Sequence, residues 1–244
     1  MDSLMFNILD QVDSTNNYAM GRIHEGLARN GEAWFARVQT DGKGQRGKAW
    51  KSNINENLLM SVIIRPPQFL KISSFYLQAL VSVVSARFLS EITQSSCLIK
   101  WPNDLYLNDR KAGGILIENN IRGTHWNWAI IGIGININQS SFPLEAKNPC
   151  SVFEITQKRF DPVLLAKTLH AQLWEAVSLL SAEKEAEYMN AYNKLLYRRE
   201  ELVKLKKGNH LFEAVIKKVD NTGRLEVLQP DKQSYIHGEI EWLL

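Results

Sequence analysis

The chain has 244 residues, 45% of them hydrophobic, 23% charged, with a formal net charge of +3. That length supports one substantial core and a small second domain, and so small an excess of positive charge does not by itself point to nucleic acid. Two cysteines, Cys97 and Cys150, form no CxxC pair, and no Cys/His cluster suggests zinc. No apolar run is long enough for a membrane span, and the first thirteen residues lack the basic start of a signal peptide, so a cytoplasmic enzyme is expected.

In chain order, Met5 to Val12 reads as a strand that runs into a helix start at Asp13-Ser14-Thr15, where Ser14 or Thr15 can cap a helix continuing from Asn16 to Ala28. Ala33 to Val38 is a second strand, followed by a glycine-rich loop from Asp41 to Gly47. Leu58 to Ile64 is a third strand, stopped by Pro66-Pro67. Ser73 or Ser74 can cap a long helix from Phe75 to about Ile92, with one broad apolar face. Short strands are expected at Leu98 to Trp101, Leu105 to Leu107 and Ala112 to Glu118, the last two joined by an Asn108-Asp109 turn. Trp126 to Asn138 is a long strand. Asp161-Pro162 opens a helix running through Leu180, and a further helix spans about Glu183 to Leu196.

Beyond Tyr197 the texture changes to short β-like runs at Leu202 to Leu205, Phe212 to Val219, Leu225 to Leu228, Tyr235 to His237 and Ile240 to Leu243. Gly208-Asn209, Asn221-Thr222-Gly223 and Pro230-Asp231 punctuate them. The expected organisation is a mixed α and β domain over residues 1–197 and a small antiparallel barrel over residues 198–244.

Four stretches carry chemistry. In Asp41-Gly42-Lys43-Gly44-Gln45-Arg46-Gly47-Lys48-Ala49-Trp50, the glycines let backbone N–H groups converge on an anion, and Lys43, Arg46 and Lys48 add positive charge. The pattern is not a Walker A loop, and alone it reads equally as a basic surface loop. In Lys100-Trp101-Pro102-Asn103-Asp104, the proline fixes an extended turn, and Asp104 can hold Mg²⁺ or orient an amine, or simply cap the turn. Lys111 precedes Gly113-Gly114 and an apolar strand, which places its ammonium at the end of a buried element, although a solvated strand end is commoner. Gly132-Ile133-Gly134-Ile135-Asn136 is a buried strand with one polar residue, either a ligand to Mg²⁺ or nucleotide or a core asparagine bonded to backbone. Trp34 and Trp50 stack on a ring or fill core.

In this order, and with Gly238-Glu239-Ile240-Glu241-Trp242 closing the chain, these elements resemble the biotin protein ligases (biotin–[acetyl-CoA-carboxylase] ligases) over nearly the whole length. The resemblance implies an α+β fold, a mixed sheet with flanking helices like that of class II synthetases, plus a C-terminal SH3-like β-barrel. It implies two-step chemistry, in which biotin and MgATP give biotinyl-5′-adenylate, which acylates a lysine of a biotin carboxyl carrier protein.

By the same resemblance, Ser14, Thr15, Asn16 and Gln39 match residues that hold biotin's ureido head. Lys43, Gly44 and Gln45 match the biotin and adenylate loop, and Gly114 a glycine lining the biotin tail. Lys111 matches the lysine on the carboxylate and α-phosphate, with Lys43 and Arg46 supporting catalysis. Lys43, Arg46, Lys48, Trp50, Lys111 and Asn136 fall on the ATP side, Asn136 with Mg²⁺, and Asp104 lies near the acceptor lysine. The loop departs from the family's Gly-Arg-Gly-Arg-Arg-Gly: Lys43 loses bidentate geometry and Gln45 loses charge. Repressor members carry a winged helix-turn-helix ahead of the ligase pattern. This chain starts at the first ligase strand, so a short form without operator binding is expected, with homodimerisation open. A lipoate or octanoate ligase, or a non-catalytic biotin-binding sensor, are the competing readings.

Overall fold

The computed structural model describes residues 5–70, 75–123, 125–229 and 231–243. A seven-stranded sheet is built from β1 (Phe6–Val12), β2 (Ala33–Gln39), β3 (Asn57–Ile64), β4 (Cys97–Lys100), β5 (Asp104–Leu107), β6 (Arg110–Arg122) and β7 (His125–Asn136), in the order β1-β2-β3-β7-β6-β5-β4. β1 and β2 run parallel and every other pair is antiparallel, so the sheet is mixed. The parallel pair is joined by helix α1 (Thr15–His24), as a parallel connection requires.

The two faces of the sheet are covered differently. Odd-numbered residues of β7, Ile131, Ile133 and Ile135, join a large core with apolar side chains of α2 (Tyr76–Thr93) and α4 (Pro162–Ser178). Among the described residues the helix on the opposite face is α1, whose Ala19 packs with Trp34, Ile63 and Ile130. Strand side chains alternate between faces, so the even positions Gly132 and Gly134 continue that second face beyond the helix. α4 starts as expected, with Asp161 accepting from the Val163 and Leu164 N–H groups and Pro162 in the first turn. The expected caps of α2, Ser73 and Ser74, lie outside the described residues.

Several boundaries shift. α1 stops at His24 rather than Ala28, and Ser14 sits at its N-cap without a side-chain capping bond. The β6–β7 hairpin is longer than its apolar residues suggest, because Asn119 to Arg122 keep pairing beyond the core. A short helix, α3 (Val152–Thr156), was not expected, yet Ser151 and Glu154 form a complete capping box that its Ser-x-x-Glu spacing encodes. α5 is Glu185–Lys194, preceded by a 3₁₀ turn at Ala182–Lys184.

The C-terminal strands β8 (Leu202–Lys207), β9 (His210–Val219), β10 (Leu225–Gln229), β11 (Asp231–Tyr235) and β12 (Glu241–Leu243) form an antiparallel sheet in the order β11-β10-β9-β8-β12. Among the described residues its end strands β11 and β12 do not pair with each other, so the expected barrel is not closed. Tyr235 to His237 is not a strand as expected: pairing with β10 ends at Tyr235, and His237-Gly238 turns, with Gly238 at φ +92°. This turn lies against the first sheet's motifs. The Trp101 Nε1–H donates to the Gly223 carbonyl (2.9 Å), the Trp101 and His237 rings meet edge to face at 5.7 Å, and Lys147 pairs with Glu241 at 2.7 Å.

Candidate active site

The site lies on the face that α1 leaves open, along β7 and β6. A β-carbon on Gly132 would come within 2.3 Å of Asn16 Oδ1, and one on Gly134 within 2.7 Å of the Trp50 indole. Two glycines on one face of one strand thus admit two different groups, spaced roughly 7 Å apart at two strand residues. Gly114 pairs with Gly134 and extends the floor under Trp50.

At the Gly132 end, the start of α1 is buried: Ser14, Thr15 and Asn16 are each less than 5% exposed. The Thr15 N–H and hydroxyl both approach Gln39 Oε1, at 2.8 and 3.0 Å. The Ser61 hydroxyl, on β3 beside Gly132, lies 2.7 Å from Thr15 Oγ1 and 2.6 Å from Asn16 Oδ1. Asn16 Nδ2 donates to the Glu118 carboxylate at 2.7 Å and lies 3.4 Å from the Leu116 carbonyl. All four residues expected here are together. Ser61 and Glu118 were missed, since each meets Asn16 from a strand distant in sequence and no local pattern marks the contact.

At the Gly134 end, Lys111 Nζ pairs with Asp104 Oδ1 at 2.5 Å, 3.7 Å from the β-carbon position of Gly114 and 5.9 Å from the Trp50 ring centre. The short β5–β6 hairpin brings the pair together, with its turn at Asn108 and Asp109 in left-handed conformations as their residue types allow. Lys100, opposite Asp104 on β4, is a further cation that was not singled out. Its ammonium lies over the rings of Tyr106 and Trp242, and burial pushes its pKa down to about 8; Asp104 opposes the shift, and Lys111, Lys147 and Lys48 reinforce it.

The glycine loop is a small closed hairpin rather than an open stretch: Lys43 bridges Ala49, the Trp50 N–H donates to the Gly42 carbonyl and the Gly44 N–H to the Lys48 carbonyl, both at 2.7 Å. Lys43 and Lys48 are exposed. Arg46 is turned outward by a left-handed backbone (φ 57°), and its guanidinium lies against Gly238, where any β-carbon would collide with it. Arg46 therefore lies against the C-terminal turn at Gly238. Trp50 Nε1 and Gln45 Oε1 are buried without a hydrogen-bond partner among the described residues. Asn136 is buried; its Nδ2 donates to the Cys150 carbonyl (2.9 Å), and the Cys150 N–H donates to the Lys111 carbonyl (2.9 Å), which couples it to the lysine strand. His237 is held below its ordinary 6.5 by burial, with Arg46 and Lys48 acting in the same direction and Asp104 against it.

A buried, neutral, hydrogen-bonding pocket at one end of a glycine floor, and cations around one carboxylate at the other, suit an extended acid with a polar head that is activated at its carboxylate.

Comparison with known proteins agrees. Residues 8–136 match the model of the biotin/lipoate A/B protein ligase family. The chain is 32% identical over 238 residues to the bifunctional ligase/repressor BirA of Escherichia coli K12, covering 96% of this chain and 72% of that protein. It is 34% identical over 137 residues to the biotin–[acetyl-CoA-carboxylase] ligase of Paracoccus denitrificans, covering 53% of each. The biotin protein ligase of Aquifex aeolicus, solved in complex with biotin and ATP, superposes with a TM-score of 0.81 at 26% identity over 98% of both chains.

Proposed function

The chain belongs to the biotin/lipoate A/B protein ligase family, and on that premise we propose that it is a biotin protein ligase with ATP and biotin as substrates and a biotin carboxyl carrier domain as acceptor. The observation that carries this reading is the glycine floor, with a neutral polar pocket at Gly132 and the Lys111–Asp104 pair beyond Gly134.

In the first step a biotin carboxylate oxygen attacks the α-phosphorus of ATP, forming the mixed anhydride as the bond to pyrophosphate breaks. Both reactants are anionic, so the step needs positive charge at their meeting point. Lys111 supplies it, with Lys43, Arg46 and Lys48 drawing in the triphosphate. Ser14, Thr15, Asn16 and Gln39 hold the head, Gly114 lines the tail, Gly44 and Gln45 border the loop over the adenylate, and Trp50 borders the nucleotide. In the second step the acceptor lysine, as its free amine, attacks the acyl carbon and AMP leaves with the bonding pair. Asp104 is the carboxylate placed to orient that amine and take up its proton.

Mg²⁺ belongs to the same proposal. Among the described residues no group of three His, Cys, Asp or Glu side chains could hold a metal. The donors fit an ion carried mainly by nucleotide phosphates, with the Asn136 amide oxygen as the protein ligand. When bound it would neutralise phosphate charge. The same reading assigns residues 1–197 to the ligase domain and 198–244 to a C-terminal domain whose His237–Gly238 turn borders the site.

The test is biotin-dependent exchange of labelled pyrophosphate into ATP, with lipoate in parallel. Exchange with biotin alone is expected. Exchange with lipoate alone would move the chain to the other branch of the family, and exchange with neither would favour a binding protein.

A further inference from the structure

The hydrogen bonds at the Gly132 end contain an imbalance. Asn16 Oδ1, Ser61 Oγ, Thr15 Oγ1 and Gln39 Oε1 form a line of four oxygens with contacts of 2.6, 2.7 and 3.0 Å. Only the two hydroxyls carry protons, so three contacts share two protons and the line is one donor short. Rotating either terminal amide by half a turn would put an NH₂ group into the line and remove the shortage. Neither is free to rotate. The Thr15 N–H donates to Gln39 Oε1 at 2.8 Å and holds that oxygen inward. At the other end Asn16 Nδ2 meets two groups that only accept, the Glu118 carboxylate at 2.7 Å and the Leu116 carbonyl at 3.4 Å. A turned Asn16 would set its oxygen against the carboxylate.

We infer that Glu118 is a positioning residue that fixes the polarity of this pocket, so that it selects acids whose far end presents paired ring N–H donors, a cyclic urea, over acids whose far end has none, a dithiolane. The inference rests on the proposed biotin ligase reading and adds to it the reason for discrimination within the family. A ligand N–H reaching Asn16 Oδ1 or the hydroxyls supplies the missing donor; a sulfur ring leaves buried lone pairs unmatched. Sites built to hydrogen-bond a polar group reject analogues lacking it far more strongly than apolar pockets reject a size change. Glu118 makes no contact with the ligand in this scheme. It acts through Asn16.

The experiment measures KM for the acid in pyrophosphate exchange for wild type, Glu118→Gln and the double variant Asn16→Asp/Glu118→Gln, using biotin and biotin methylated at a ring nitrogen. The glutamine that replaces Glu118 can turn its own NH₂ toward Asn16 and let that amide rotate. Glu118→Gln is expected to raise KM for biotin roughly tenfold or more, on the scale of one buried mismatch, with KM for ATP and the rate at saturating biotin preserved. The methylation penalty should shrink in the same variant. The double variant restores an acceptor on the pocket side with a donor behind it, and is expected to recover biotin KM.

Unchanged biotin KM in Glu118→Gln, or an equal methylation penalty in both proteins, overturns the inference, because a merely structural carboxylate would not alter that ratio. A check on wild type alone guards against misfolded variants. Desthiobiotin keeps both N–H groups without the sulfur ring, so it should raise KM less than N-methylation does; the reverse order overturns the inference. Wild type that exchanges with lipoate and not biotin would instead overturn the functional reading itself.

Discussion

The two ends of the glycine floor solve different problems. At Gly132 the groups facing the pocket are neutral and already bonded to each other, with the half-buried Glu118 carboxylate behind Asn16; at Gly134 they are charged, one-quarter exposed or more, and unevenly matched, with several cations around Asp104. Bonded neutral groups in a dry pocket hold their geometry before any ligand arrives, which gives selectivity. Clustered charge of one sign is costly until an anion enters, which gives attraction and chemistry. The same strand carries both, two residues apart.

The largest effect that tests this division is expected at the charged end. Lys111→Ala should cost about 3 kcal/mol of transition-state stabilisation, the scale of one lost charge-stabilising donor, while biotin affinity changes far less. Unchanged pyrophosphate exchange would remove Lys111 from the reaction.

Next come the glycines. Gly132→Ala drives a methyl into Asn16 and should raise KM for biotin, at a cost of about 1–3 kcal/mol typical of overpacking, whereas Gly134→Ala displaces Trp50 and should act on ATP. If both substitutions shift the same KM, the two ends are not separate. Raising salt should weaken ATP binding and leave biotin KM nearly flat, since screening acts on exposed charge and not on neutral hydrogen bonds.

His237 gives a pH test. Its folded pKa lies below 6.5, so its contribution to stability is fully present above that value and is lost as pH falls, when the unfolded chain binds the proton first. Thermal unfolding followed from about pH 7.5 down to 5 should show less loss in His237→Gln than in wild type; parallel curves would mean that the turn does not sense its own charge. The smallest effect is expected for Gln45→Arg, which restores a cation to the loop and should slow escape of the adenylate. An unchanged release rate would make that loop departure silent.

Much of the site was legible because its signals are local. The Asp13-Ser14-Thr15 helix start, the Asn108-Asp109 turn that carries Lys111 back to Asp104, and the glycines two apart in β7 each follow from short-range geometry. Arg46 shows the limit. Its charge is legible but its neighbour is not: the left-handed backbone carries its guanidinium against Gly238, nearly two hundred residues away, a contact no local pattern records. The Ser151-x-x-Glu154 box before α3 is local too and encodes a helix start. The C-terminal antiparallel sheet was legible in its short alternating strands, while its open edge was not, because such strands specify a sheet and not its closure.

The sequence alone determined most of the elements, the family resemblance and which face of β7 lacks side chains, since strand and helix periods are properties of consecutive residues. Tertiary structure decided which groups fill the space that those glycines leave, and which way they point. Asn16 faces its oxygen into the pocket because the Glu118 carboxylate, 102 residues away, accepts from its NH₂ behind, with the Leu116 carbonyl beside it, and hydrogen-bond polarity is fixed by partners in space that no local pattern records.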